Sequence, residues 1–92
     1  MLNKKQQKCF QDFYGSTHKN EFIEDKTAAL IGLAAALALN CSPCTKYYLE
    51  LCKKHNTSKG EINDVLAKVM AVAAGQKNAQ FREILKKYQI EF

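Results

Sequence analysis

Lys26–Leu39 reads KTAALIGLAAALAL, and after its first turn it has no polar face to turn toward water. A helix that is apolar nearly all round has to be covered on most sides. Its apolar part, Ala28–Leu39, is too short to cross a bilayer, which takes about 20 residues. A chain of 92 residues must therefore bring other helices around this segment. A domain this small buries only roughly two thirds of its unfolded surface, so part of the cover is expected from neighbouring subunits. Gly32 and the alanines would let those helices approach closely.

The rest of the chain is patterned to supply such helices. Cys9, Phe10 and Phe13 fall at helical spacing in a first helix over about Leu2–Tyr14, with Gly15 as its stop signal. Ser16–Ile23 reads as a loop anchored by Phe22 and Ile23, and Asp25 as the N-cap of the apolar helix. A third helix is expected over about Pro43–His55, with Ser42 as cap and proline at the first helical position, where its missing N–H costs nothing. It keeps Cys44, Tyr48, Leu51, Cys52 and His55 near one stripe, with Lys46, Glu50, Lys53 and Lys54 elsewhere. Ser58 and Glu61 form a capping box opening a fourth helix, with Ile62, Val65, Leu66, Val69, Met70 and Ala73 on one face and Gly75 at its end. A last helix over about Asn78–Tyr88 carries Phe81, Ile84, Leu85 and Tyr88. The expected fold is all-α, one domain over residues 1–92 with about five helices. An apolar fraction of 47% excludes disorder, and the absence of Trp with a single Pro suits helices better than a turn-rich β fold.

The net charge of +5 rests on thirteen lysines and one arginine. Nucleic-acid recognition leans on arginine's fork and on a basic stripe interleaved with aromatics, and these lysines are scattered, so no nucleic-acid partner is expected. The N-terminus, MLNKKQQKCF, has no apolar stretch of signal-peptide length. A soluble, cytoplasmic protein with no membrane partner is the expectation. In a reducing compartment, cysteine pairs point to redox chemistry or a metal rather than to a disulfide framework.

Such a pair lies in Asn40–Tyr48, NCSPCTKYY, where the apolar helix ends and the next begins. Cys44 falls in the first turn of the new helix, where free N–H groups and the positive end of the dipole favour a thiolate. It is the candidate nucleophile, and Cys41 is placed to close a short disulfide on it. A zinc site joining Cys44 to Cys52 is opposed by about 12 Å of helical rise between them. A metal on Cys41 and Cys44 would need ligands from elsewhere, and no cofactor is expected. Cys9 and Cys52 read as small core residues. Tyr47 and Tyr48 could position a substrate or hydrogen-bond a thiolate, although core or interface packing is the plainer role.

The order of features from Ile23 to Ile62 resembles the carboxymuconolactone decarboxylase superfamily, and within it the alkylhydroperoxidase D-like branch. Asp25-Lys26 precede Thr27. Leu30-Ile31 with Leu33-Ala34, a small-residue helix and the Cys41-x-x-Cys44 turn come next. Ser58-Lys59-Gly60-Glu61-Ile62 then stands where the family has a Thr-x-Glu-Glu-Ile-like start. The resemblance implies an all-α homotrimer or homohexamer. It also implies a redox dithiol in which Cys44 attacks a hydroperoxide or disulfide, Cys41 resolves the product, and a dithiol protein returns the electrons, an antioxidant peroxidase role. In that branch a Glu twelve residues before the first Cys and a His four residues after the second relay protons. Here Ala29 and Tyr48 stand at those positions. Alanine does not titrate, and an unperturbed tyrosine, with a pKa of about 10, is a donor near neutral pH. His18, Glu21 and Glu24 are the candidates for a substitute base, and His55, about 16 Å along the helix from Cys44, is out of reach within it. The competing expectation is a member that kept the fold, lost the enzyme and serves as an oligomeric binding or structural protein. Nothing in the chain supports decarboxylation.

Overall fold

A computed structural model describes residues 1–92, all helical with no strand: α1 (Lys4–Ser16), α2 (Asp25–Ala38), α3 (Ser42–Lys54) and α4 (Lys59–Lys87). The all-α expectation holds. The count differs by one because α4 runs unbroken through Gly75, joining the two helices expected on either side of it. Glycine costs about 1 kcal/mol inside a helix but stops one only where the chain turns left-handed, and no glycine here has positive φ.

Asn40 (φ 56°), Asn56 (φ 57°) and Gln89 (φ 53°) do the stopping instead. Each forms the same terminus. After α2 the Asn40 N–H donates to the Leu37 carbonyl and the Cys41 N–H to the Ala36 carbonyl, at 3.3 and 2.9 Å, and the pattern repeats at Asn56-Thr57 and Gln89-Ile90. Asparagine tolerates this conformation better than most residues, so Asn40 and Asn56 were the legible signals. Gly15 likewise lies inside α1, whose last carbonyls are met by the Ser16 and Thr17 hydroxyls, each donating at 2.6 Å. At its start Asn3 and Gln6 make a capping box. The Ser58–Glu61 box opens α4 as expected, whereas α2 begins one residue early, with Glu24 at the cap position and Asp25 in the first turn.

The core lies where α2 meets α3 and α4. Ala29, Leu33, Ala36 and Cys52 are buried, with Leu30, Leu37, Tyr48, Leu51, Ile62 and Val65 packed about them. Lys26 on α2 reaches Glu61 on α4 at 2.9 Å and ties the starts of the two helices together. That ion pair, with the hydrogen bonds from Ser58, holds the Glu61 carboxyl at about 2.

Only one face of α2 is covered. Ile31 on another face, and Leu39 just past the end of the helix, are 55% and 79% exposed. α1 packs on no other helix, so Phe10 and Phe13 are exposed and Cys9, expected to be a core residue, is exposed too. An inward stripe needs an element to face, and within this chain α1 has none. Over its 29 residues α4 is about 43 Å long, against about 21 Å for α2, so its far end outruns the body and leaves Phe81, Ile84 and Tyr88 exposed. The radius of gyration is 17.9 Å, where a compact chain of this length has about 12 Å. No helix is long and apolar enough to cross a membrane.

Candidate functional site

Three residues, Leu39, Asn40 and Cys41, connect α2 to α3. Cys41 closes the end of α2 through its N–H and is at the same time the N-cap of α3, displacing Ser42, which takes the first helical position. The Cys44 N–H donates to Cys41 Sγ at 3.3 Å, and the Thr45 N–H and hydroxyl both donate to the Cys41 carbonyl, at 2.9 and 2.8 Å. A sulfur therefore does what a serine or aspartate oxygen does at an ordinary N-cap. Residue preferences at caps favour Ser42, and the local sequence alone gave no sign that the sulfur would win. Pro43 falls in the first turn, where it sacrifices no hydrogen bond.

Cys41 and Cys44 are joined as a disulfide with their Cα atoms 5.2 Å apart. Cys9 and Cys52 remain thiols. Cys52 packs with Ala29 and Leu33, and burial pushes its thiol up, so it stays protonated and serves packing as expected. No three His, Cys, Asp or Glu side chains converge on one point.

Tyr48 lies one turn beyond Cys44, its ring flat on Gly32 of α2. A methyl group at Gly32 would overlap the ring, so the glycine is what lets α3 come this close. Partial burial, with Tyr14 and Tyr47 nearby, raises the Tyr48 pKa and keeps its hydroxyl a donor. Ala29 is fully buried among apolar side chains. Neither position offers a base to the dithiol.

His18 does come toward α3. Its ring meets Tyr14 edge-on at 4.7 Å and Tyr47 at 5.7 Å, and the Tyr47 hydroxyl is 3.5 Å from His18 Nδ1. Tyr47 and Tyr48 stack edge to face at 5.0 Å. His18, Tyr47 and Tyr48 line a cavity of about 510 Å³ that also receives His55, from the far end of α3, and Asp25. Glu21 and Glu24 do not line it. Sequence spacing could not place His18, because the Ser16–Ile23 connection carries no periodicity.

A second cavity, of about 600 Å³, opens beside the disulfide between α2 and α3, with Leu37, Cys41, Thr45, Lys46 and Leu49 on its wall. The arrangement can make and break a disulfide at a helix N-terminus reachable from solvent. Comparison with curated proteins and with solved structures returns no match. The family model described as carboxymuconolactone decarboxylase family matches residues 6–87, which takes in all of α2, α3 and α4, the dithiol turn and most of α1. The chain therefore belongs to the carboxymuconolactone decarboxylase family.

Proposed function

We propose that the protein is a thiol-based oxidoreductase of the alkylhydroperoxidase D-like branch that cycles the Cys41–Cys44 dithiol while reducing hydroperoxides or disulfides. The observation that carries this reading is the disulfide itself, built on the first turn of α3 beside an open cavity. In the oxidative half, the Cys44 thiolate attacks the outer oxygen of a hydroperoxide. The O–O bond breaks, the alcohol leaves with a proton from solvent, and Cys44 becomes a sulfenic acid. The Cys41 thiol then attacks that sulfur, water departs, and the disulfide forms. A partner dithiol protein returns two electrons. In a cytoplasmic, reducing compartment the bond is then a turnover intermediate and not a permanent staple. The role is antioxidant. Tyr48 would act as a hydrogen-bond donor toward the dithiol and not as its base.

The exposed apolar faces of α1, α2 and α4 and the large radius of gyration support assembly as a homotrimer or homohexamer, in which those faces are covered. A second reading, a non-catalytic oligomeric binding or structural member, is favoured by one specific observation: Ala29 is sealed in the core and Tyr48 is held protonated against Gly32.

Thiol acidity and peroxide response separate the two. The protein is first reduced and freed of reductant, then exposed briefly to a low dose of hydroperoxide, alkylated and mapped by mass. The oxidoreductase should form a Cys41–Cys44 bond while Cys9 and Cys52 are alkylated. Cys44→Ser should abolish peroxide-dependent oxidation, and Cys41→Ser should accumulate sulfenic acid. Four alkylated thiols, with a Cys44 pKa near that of free cysteine at about 8.5, would establish the non-catalytic reading.

A further inference from the structure

The two joined sulfurs face different surroundings. The wall that α3 and its N-cap give to the cavity of about 600 Å³ follows Cys41, Ser42, Thr45, Lys46, Leu49 and Glu50, and Cys44 is not among the residues lining it. Both cysteines are half-buried, and Cys44 shares the adjoining i, i+4, i+8 row with Tyr48 and Cys52, which pack on α2. Opposite, α2 contributes Ala36 and Leu37, so the entrance to Cys41 is apolar on one side and carries the Lys46–Glu50 ion pair, closed at 2.7 Å, on the other. Thiol–disulfide exchange requires the incoming thiolate to reach one sulfur from the side away from the sulfur that leaves, so access decides which of the two is attacked.

We infer that the reductant attacks Cys41, entering between Leu37 and Leu49, with Cys44 as the leaving thiolate. The inference rests on the dithiol reading above and concerns its reductive half. One thiolate of the partner dithiol bonds to Cys41 Sγ, the Cys41–Cys44 bond breaks, and its electron pair goes to Cys44. That sulfur lies in the first turn of α3, where the helix dipole stabilises a departing anion. The partner's second thiolate then attacks its own sulfur in the mixed disulfide and frees Cys41. The departing Cys41 thiolate keeps the Cys44 N–H as a donor. Two electrons pass from the partner, now a disulfide, to the protein, and the two partner protons end on the cysteines or in solvent. Cys41 is thus the sulfur that meets the partner, and the cleft lined by Leu37 and Leu49 is where that partner's thiol is selected.

The test oxidises the full-length protein with diamide, which forms the disulfide whether or not peroxide does, so failure of the peroxidase reading stays distinguishable from failure of this one. A large excess of glutathione is added, the reaction is quenched with acid and alkylated after milliseconds to seconds, and the peptide containing both cysteines is fragmented on the N-terminal side of Pro43. The glutathione adduct should sit on Cys41, with alkylated Cys44, in about tenfold preference. Leu49→Trp, which narrows the entrance at an exposed position, should slow adduct formation by about tenfold. An adduct divided equally or weighted toward Cys44, or a Leu49→Trp rate equal to that of the parent, would overturn the inference.

Discussion

Replacing Gly32 with alanine sets two opposed effects against each other. In the interior of α2 alanine is better than glycine by about 1 kcal/mol, because less backbone entropy is lost on folding. Against that, the new methyl would meet three carbons of the Tyr48 ring within overlap distance, so the ring or α3 has to move. Overpacking of this kind costs about 1–3 kcal/mol. The sum is a net loss of about 0–2 kcal/mol in the parent. In a Tyr48→Ala background the obstruction is gone, and Gly32→Ala should stabilise by about 1 kcal/mol relative to Tyr48→Ala alone. The coupling between the two sites is then about 1–3 kcal/mol, well above the roughly 0.3–0.5 kcal/mol expected of independent positions. Four proteins unfolded in urea at one protein concentration give the cycle. In thermal melts 1 kcal/mol corresponds to about 4–8 °C for a domain of this size. Should Gly32→Ala stabilise parent and Tyr48→Ala equally, the close seating of Tyr48 on α2 would be refuted, and with it the account of why alanine does not occupy position 32.

Three further outcomes are expected. Gly75 is helical with nothing within 4 Å of an added methyl, so Gly75→Ala should raise stability by about 0.8–1 kcal/mol in urea denaturation; a loss would mean that α4 breaks there. Asn40 holds φ at 56°, so Asn40→Gly should keep the α2–α3 turn while the β-branched Asn40→Val loses about 1–2 kcal/mol; equal stability of the two variants would contradict a left-handed residue at 40. The Glu61 carboxyl is held at about 2, below its ordinary 4.5, so its contribution is fully present above pH 4.5 and lost as pH falls toward 2. Lys26→Ala, which removes the ion pair, should flatten stability against pH across that window, and an unchanged acid limb would show that the pair does not carry it.

Where the determinants lie within a few residues of one another, the amino-acid sequence was sufficient. Ser58 and Glu61 cap α4 because the two groups that satisfy each other are three residues apart, and Cys41 and Cys44 meet for the same short-range reason. Helical periodicity likewise fixed the all-α class, and the order of motifs around the dithiol pointed to the family. Gly15 and Gly75 misled because a glycine is a stop only if the chain turns left-handed there; α1 ends instead at the Ser16 and Thr17 hydroxyls, and the left-handed turns were taken by Asn40, Asn56 and Gln89. Everything that depends on which element faces which was decided by the tertiary structure. The Cys9 stripe found no helix to cover it, Tyr48 found Gly32, Lys26 found Glu61 35 positions away, and His18 was carried to Tyr47 by a connection without pattern. The same holds for the difference between the two sulfurs. They are three residues apart in one motif, and only the packing of α2 against α3 leaves Cys41 on the wall of a cavity from which Cys44 is absent.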